Sequence, residues 1–458
     1  MAKRTFQTLI LAAGEGTRMR SAKPKVLHEV AGLSLLDHVL RAAKAAGSTD
    51  TIVVIGPGRE DVTKCVKNFD AKAALFVQAQ RLGTGHAVLQ AEKALKGMKG
   101  HVIIAAGDTP LLRPETFQAI CKKLDDGADV VVGAFELENP FGYGRVIMEG
   151  NRVTAIVEEK EANAAQKKIT LLNSGMIGFA AEKALAILKA IKKSKKTGEY
   201  YLTDAIAIAH GNGLRVEAAS VPTEDTLGVN TRAQLSQAEA VMQQRLRERA
   251  MANGATLIAP DTVFLSHDTK IDEDVTIAPH VVIGKGVTIE SGAEILSFSH
   301  LEGVSVGRGA RIGPYARLRP GSKIGAGAHI GNFVEVNRST IAAHVDVNHL
   351  SYIGDADVGE GTNIGAGTIT CNFDGANKHK TKIGRDVFVG SNSTLVAPLK
   401  IGDEVLVAAG STVTKDTPSG SLVFGRVKEQ TIKPKQGAAK IRANKKARAA
   451  RKAQAKTK

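Results

Sequence analysis

The stretch LILAAGEGTRM at 9–19, followed by KPK at 23–25, joins an apolar run to a glycine-containing loop and then to two cations. Backbone N–H groups around Gly14 and Gly16 can cradle phosphate oxygens, and Arg18 and Lys25 can balance the charge of a triphosphate. The same residues also suit a structural strand-to-helix turn. Neither GxxxxGK followed by Ser or Thr nor a complete GxGxxG occurs there, so P-loop and dinucleotide-binding readings fail. Asp108 closes the apolar run KGHVIIAAGD at 99–108, which puts its carboxylate at the end of a strand. A hard cation such as Mg²⁺ takes one or two such oxygens and fills its other positions with phosphate and water. Alternatively, Asp108 caps a helix leading into TPLLRPETF. His349 in NHLSY is the third candidate: a lone His is often a satisfied structural group, yet an imidazole is also the usual proton acceptor near neutral pH.

The elements that must position these groups change character near residue 253. Before it, FQTLILAAG (6–14), DTIVVIG (50–56), KGHVIIAAGD (99–108) and ADVVVGAF (128–135) read as buried strands, and 34–47 and 84–96 carry apolar residues at helical spacing. Such alternation predicts a mostly parallel sheet covered by helices, with ligands at the carboxyl ends of its strands. Residues 232–251 contain no Gly or Pro and align Leu235, Ala238, Met242 and Leu246, which predicts a linking helix. After it, aliphatic residues recur every six positions, from Ile271 through Ile277, Ile283 and onward to Val413, with five-residue slips at 301/306, 336/341 and 353/358 and one longer gap. The series has 24 members, of which only Thr370 is not aliphatic. That period belongs to neither helix nor alternating strand, and with the frequent following Gly it predicts a triangular parallel β-helix with three hexapeptides per coil. Eight coils at the strand spacing of ~4.8 Å would stand about 38 Å tall. The 13-residue step from Thr370 to Ile383 must eject the loop CNFDGANKHKTK. Flat prism sides offer few walls for a small molecule, so clefts are expected between subunits of a closed ring.

The 458 residues predict two or three domains, and ordinary fractions of hydrophobic (43%) and charged (24%) residues exclude a disordered, collagenous or membrane-embedded chain. No basic stretch with an apolar core and cleavage site is present, and no apolar run reaches membrane-spanning length, so the expected address is the cytoplasm. Cys65, Cys121 and Cys371 are odd in number and far apart, which argues against a disulfide framework or structural zinc. The net charge of +16 hints at a polyanion binder, but residues 433–458 hold eleven Lys and Arg and no acid, leaving only +5 for the rest. Such a run is most often a solvated disordered tail, polyanion attraction being the other reading. With no Trp and 4% aromatics, base-stacking platforms are scarce.

LAAGEGTRM with the downstream Pro24 and Lys25, QAQRLGTGHA (78–87), GD (107–108), FGYGR (141–145), VEEK (157–160), NSG (173–175) and GVNTR (228–232) resemble the nucleotide-sugar pyrophosphorylases. With the hexapeptides and NHLSYIGDADVGEGTNIGAGTITCNFDGANKHKT (348–381), the chain resembles the bacterial bifunctional N-acetylglucosamine-1-phosphate uridylyltransferase/glucosamine-1-phosphate N-acetyltransferase family over residues 5–430. The resemblance implies an α/β, Rossmann-like nucleotidyltransferase domain with a mostly parallel sheet (1–231), a linker helix (232–252), a left-handed parallel β-helix acetyltransferase domain (253–432) and a basic tail (433–458). It implies acetylation of glucosamine 1-phosphate by acetyl-CoA, then UMP transfer from UTP to N-acetylglucosamine 1-phosphate with release of pyrophosphate, feeding peptidoglycan and lipopolysaccharide precursors. It further implies Mg²⁺ and a homotrimer, and requires no nucleic-acid or membrane partner.

By the same resemblance, Leu11, Ala12, Ala13 and Gly14 serve the uracil and phosphate loop, Arg18 and Lys25 the phosphate charge, and Gln78, Gly83 and Thr84 the base. Gly144, Glu158 and Asn173 serve the sugar, and Asp108 and Asn230 the metal. In the second domain His349 matches the general base, Arg319, Asn337, Tyr352, Asn363 and Lys378 the sugar-phosphate positions, and Asn372 and Phe373 positions near the amine and acetyl groups. Ala366, Ser391, Ala409 and Arg426 match coenzyme A contacts. Three departures stand out. Ala106 replaces a common aromatic, Phe373 a common Tyr, and Asn337 a common phosphate-binding Lys. Arg338 follows Asn337, but adjacent strand residues face opposite ways, so either weaker phosphosugar binding or a local bulge presenting Arg338 is expected. The alternatives are a monofunctional sugar nucleotidylyltransferase with a structural β-helix, and a scaffold whose tail binds polyanions.

Overall fold

In the computed structural model, which describes residues 5–425 and Lys446, the four apolar runs form strands at the centre of one sheet. Its strands are Phe6–Ala12 (β1), Thr51–Ile55 (β2), Ala74–Val77 (β3), His101–Ala106 (β4), Val130–Glu136 (β5), Arg145–Glu149 (β6), Arg152–Val157 (β7), Leu171–Ala180 (β8) and Val216–Ser220 (β9). The order is β9-β5-β8-β4-β1-β2-β3. β1 pairs in parallel with β2 and β4, β2 with β3, and β9 with β5; β8 runs antiparallel to β4 and β5, and the β6–β7 hairpin hangs from it. The sheet is therefore mixed, with the four-strand parallel part β4-β1-β2-β3 carrying the glycine loop after β1 and a second parallel pair, β9 and β5, at the other edge.

Alternation along the strands explains why these runs are apolar throughout. Leu9, Ile52, Val54 and Ile104 point to one face, against helices Ala181–Lys189 and Asp204–Gly211. Ile10, Val53, Ile55 and Ile103 point to the other, against Leu35–Ala45, Glu60–Phe69 and Pro114–Asp125. A sheet covered on both faces leaves no polar side for the sequence to show. The helical stretch 84–96 differs from expectation: it breaks into Thr84–Leu89 and Glu92–Leu95.

The chain divides into two compact units between Met242 and Gln243, within helix Arg232–Ala252. Ala238, with Leu235 and Met242, packs on Met19, Val30 and Val229 of the first unit. Gln243 belongs to the second, where its amide donates to the carbonyl of Leu265 (2.7 Å) and accepts from that residue's N–H (2.9 Å).

The second unit is a left-handed parallel β-helix with three sheets. Face one begins at Lys270–Ile271, face two at Thr256–Leu257 and face three at Val282–Ile283, with eight, ten and eight strands. Each inward aliphatic stacks on its counterpart a coil away, as Ile277 on Ile295 and Ile312 on Ile330. Of the 24 repeat positions, 23 are buried and Ile271 is half-buried. At roughly 1.5–3 kcal/mol for each aliphatic withdrawn from water, this column is the main source of the prism's stability.

The glycines after these aliphatics serve close approach. A Cβ on Gly325 would stand 2.6 Å from the Ala343 nitrogen of the next coil. Apart from Gly313 (φ 95°), left-handed backbone falls elsewhere: twelve of the fourteen non-glycine residues with positive φ lie in the β-helix, at its corners. At the corner from face two to face three, Phe298, Tyr315 and Phe333 recur one coil apart, their rings stacked at 4.8 and 5.1 Å, and His280 extends the ladder at 5.1 Å. Stacking worth ~0.5–1.5 kcal/mol per pair offsets a left-handed penalty of ~1–2 kcal/mol per residue. Among the described residues no helix is long and apolar enough to cross a membrane.

Candidate active sites

In the first unit the phosphate-loop candidates gather at the carboxyl end of β1. Leu11 and Ala12 end the strand, Ala13 and Gly14 begin the loop, and Arg18 stands exposed in a single turn, Thr17–Met19. Gly16 has a φ of 68°, and a Cβ there would run into the Lys25 side chain, so this glycine lets the two segments cross. Lys25 in turn bridges the ends of two further elements. Its ammonium pairs with the Asp108 carboxylate just beyond β4 and donates to Asn230 Oδ1 at 2.9 Å. Asp108 caps no helix: the next one starts at Pro114, with Arg113 in the capping position.

The base and sugar candidates occupy two more loops. Gln78, 5% exposed, donates to the Gly83 carbonyl (3.1 Å), contacts His86 (3.2 Å), and so fixes the loop into helix Thr84–Leu89. A Cβ on Gly83 would lie 2.8 Å from the Tyr200 nitrogen, and Thr84 Oγ1 accepts from the Leu202 N–H (3.0 Å). Gly144, Asn173 and Glu158 converge: the Asn173 N–H donates to the Gly144 carbonyl (2.9 Å), and a Cβ on Gly144 would meet Glu158 Oε2 at 3.5 Å. Glu158 accepts from the Thr203 hydroxyl at 3.0 Å, and burial pushes its carboxyl above the usual carboxylate range.

In the second unit the described candidates, Asn363 aside, fall on face three or at the two corners that flank it. At the face two to face three corner, His349 ends the strand Asp346–His349 in register with Asn332 of the preceding coil. Asn332 Oδ1 lies 3.0 Å from His349 Nδ1. An amide oxygen only accepts, so the ring proton sits on Nδ1 and Nε2 keeps its lone pair. Ala366, Ser391 and Ala409 occupy later turns of this same corner, each just after a face-two strand. Asn363 stands on face two itself, paired with Asp346 and Phe388.

Arg319, Asn337, Tyr352, Asn372, Phe373 and Lys378 lie on face three or at its corner with face one. Arg319 pairs with Glu335 (2.8 Å), and Lys378 holds its ammonium 4.6 Å from the centre of the Phe373 ring. The ejected loop is closed by a bridge between Phe373 and Lys378. Asp374 at its tip is held well below the usual carboxylate range by the backbone N–H of Asn377 and by His379. Strict strand alternation does not hold at Arg338. This residue is at a corner with φ of 50°, so it turns back to contact Asn337 (3.3 Å) and forks onto Asp355. Arg426 and, Lys446 aside, the tail 433–458 lie outside the described residues.

The MobA-like NTP transferase domain family matches residues 8–170, and the bacterial transferase hexapeptide repeats match 303–338 and 380–415. Similar proteins named "Bifunctional protein GlmU" include that of Bradyrhizobium sp. (strain ORS 278), 49% identical over 96% of this chain and 97% of its own. Those of Rhodopseudomonas palustris (strain BisB5) and Brucella canis are both 51% identical, over 94% and 96% of this chain and 96% of each relative. The chain belongs to the bifunctional GlmU family.

Against that membership, the residues sequence reasoning missed are mostly partners of ones it found. Arg81 donates to the Ala13 carbonyl (3.2 Å) and pairs with Glu15 (2.6 Å), pinning the phosphate loop. Thr203, Asn332, Glu335 and Asp355 likewise hold candidates in place. Arg81 and Asp355 fall inside motifs quoted above but without a role, and the roles of all five are set by contacts distant in sequence. Arg145, buried and paired with Glu159, was visible only as part of FGYGR.

Proposed function

We infer that the chain catalyses two successive group transfers, each in its own unit. The observation that carries this reading is that the candidates separate cleanly: a phosphate loop and an Asp108–Lys25–Asn230 cluster in the first unit, and a His349 site beside a polar cluster in the second.

In the second unit His349 Nε2 takes a proton from the ammonium of glucosamine 1-phosphate, since a protonated amine cannot attack. The freed amine attacks the thioester carbonyl of acetyl-CoA, the C–S bond breaks, and the thiolate leaves to be protonated as coenzyme A. Lys378 and Arg319 supply charge for the phosphate. Ala366, Ser391 and Ala409 would line the path of coenzyme A along their corner. With the candidates on two corners, a neighbouring prism would supply the missing wall of the groove, and a homotrimer fits that need.

In the first unit the phosphate oxygen of N-acetylglucosamine 1-phosphate attacks the α-phosphorus of UTP in line with the departing pyrophosphate. No side-chain nucleophile is needed, so the residues orient reactants and neutralise charge. Backbone N–H groups at 13–16 with Arg18 and Lys25 would hold the phosphates, Gln78 the base, and Glu158 and Asn173 the sugar. A divalent metal fits Asp108 and Asn230, because both present oxygens to one cationic point now taken by the Lys25 ammonium. We assign Mg²⁺, which prefers such oxygens and would neutralise the phosphate charge there. UTP and acetyl-CoA are cytoplasmic metabolites, which places the work in the cytoplasm.

The test is one purified sample assayed for thiol release with acetyl-CoA and glucosamine 1-phosphate, and for pyrophosphate release from UTP with the N-acetylated product. His349→Ala abolishes only the first and Asp108→Ala only the second. If either variant, still folded, loses both reactions, the division of labour is wrong; intact thiol release in His349→Ala would reduce the β-helix to a structural role.

A further inference from the structure

Five polar side chains at the corner between face three and face one close a ring of hydrogen bonds. Arg338 places Nε 2.7 Å from Oδ1 and Nη2 2.8 Å from Oδ2 of Asp355, and Nη1 3.3 Å from Oδ1 of Asn337. Asp355 Oδ2 also accepts from Asn372 Nδ2 at 2.5 Å. Both amide nitrogens, of Asn337 and Asn372, lie 3.4 Å from the Tyr352 hydroxyl oxygen. A phenol oxygen that accepts from two N–H groups sends its own proton away from them. The Tyr352 proton therefore points out of the ring.

Two backbone features build this arrangement. The left-handed corner at Arg338 brings its side chain beside Asn337, which is 5% exposed. Gly354, where a Cβ would lie 2.6 Å from Tyr352 Cε1, lets the tyrosine ring fold back over the strand. Arg338 directs all three nitrogens into the ring, so it is not a loose cation awaiting an anion. Its guanidinium holds the Asp355 carboxyl below the usual carboxylate range.

We propose that Arg338 and Asp355 are positioning residues for acetyl transfer: their two-point fork fixes the Asn372 amide and, through it and Asn337, aims the Tyr352 hydroxyl as a donor to the phosphosugar. This deepens the acetyltransferase reading and rests on it. A planar fork, not charge alone, does the positioning, and an ammonium cannot reproduce it.

The experiment compares Arg338→Lys, Arg338→Met, Asp355→Asn and the double variant Arg338→Met/Asp355→Asn in the full chain, by thiol release against glucosamine 1-phosphate and acetyl-CoA. All four should raise KM for glucosamine 1-phosphate about tenfold. Also expected are kcat within about twofold, unchanged KM for acetyl-CoA, unchanged pyrophosphate release, and a double variant no worse than the singles, as residues of one network behave. A wild-type KM in Arg338→Lys alongside loss in Arg338→Met would make Arg338 a plain phosphate cation and overturn the proposal. An unchanged KM in Asp355→Asn would overturn it too, as would a fall in kcat and melting temperature together in all four. If the unsubstituted chain transferred no acetyl group, the acetyltransferase reading itself would fall.

Discussion

Asn332→Ala tests how the proposed base, His349, is prepared. The substitution removes one amide oxygen, 3.0 Å from His349 Nδ1, and leaves the strand pairing and the Leu350 N–H bond to the residue 332 carbonyl in place. What is lost is a single neutral hydrogen bond that selects the tautomer with Nε2 free. Such bonds contribute ~0.5–1.5 kcal/mol net, so kcat for acetyl transfer should fall about 2- to 13-fold. If His349 is the general base we propose, His349→Ala removes a group worth about 10²- to 10⁴-fold. The assay is initial-rate thiol release at saturating acetyl-CoA and glucosamine 1-phosphate, with pyrophosphate release from the same sample reporting an intact fold. An Asn332→Ala loss of 10²-fold or more would mean that the amide takes part in the chemistry. An unchanged kcat would mean that Nδ1 is not held by it. Either result refutes the reasoning.

Ile330→Ala opens the inward column between Ile312 and Val347 and should destabilise the second unit by about 2–5 kcal/mol, whereas outward Lys323→Ala should shift it by under ~0.5 kcal/mol; denaturant midpoints of acetyl transfer compare the two. Glu158 is expected to make the first unit less stable as pH rises: burial lifts its folded carboxyl above the unfolded value, so its stabilising contribution is full below the unfolded range near ~4.3 and fades as pH climbs through the raised one. Glu158→Gln should therefore raise the melting temperature at pH 7 relative to the parent and lose that advantage near pH 4. Equal advantage at both pH values would contradict the burial argument.

Much of the fold was legible because its periods are strong. Both-face burial made β1, β2, β4 and β5 read as unbroken apolar runs, and the six-residue spacing survives the five-residue steps from 301 to 306, 336 to 341 and 353 to 358, since the column still stacks after each, as Ile289 on Val306, Ile324 on Ile341 and Ile341 on Val358. Antiparallel β8 was not legible. LLNSGMIGFA carries no mark of direction, and its pairing with β4 and β5 depends on residues far back in the chain, from Glu136 to His101. The split of 84–96 was missed because a break at residues 90–91 involves neither Gly nor Pro.

Residue types and spacing alone determined that a glycine-containing, cation-bearing loop precedes a prism, and made Asp108, Lys25 and His349 candidates, because cations, a strand-end carboxylate and a hexapeptide period are local features. Only the tertiary structure decided that Lys25 reaches both Asp108 and Asn230, that Asn332 sets the His349 tautomer, and that Arg338 joins Asn337 at one corner. The physical reason is the same in each case. A hydrogen bond or ion pair is fixed by where two side chains meet in space, and a corner residue at positive φ escapes the alternation from which a linear reading infers direction.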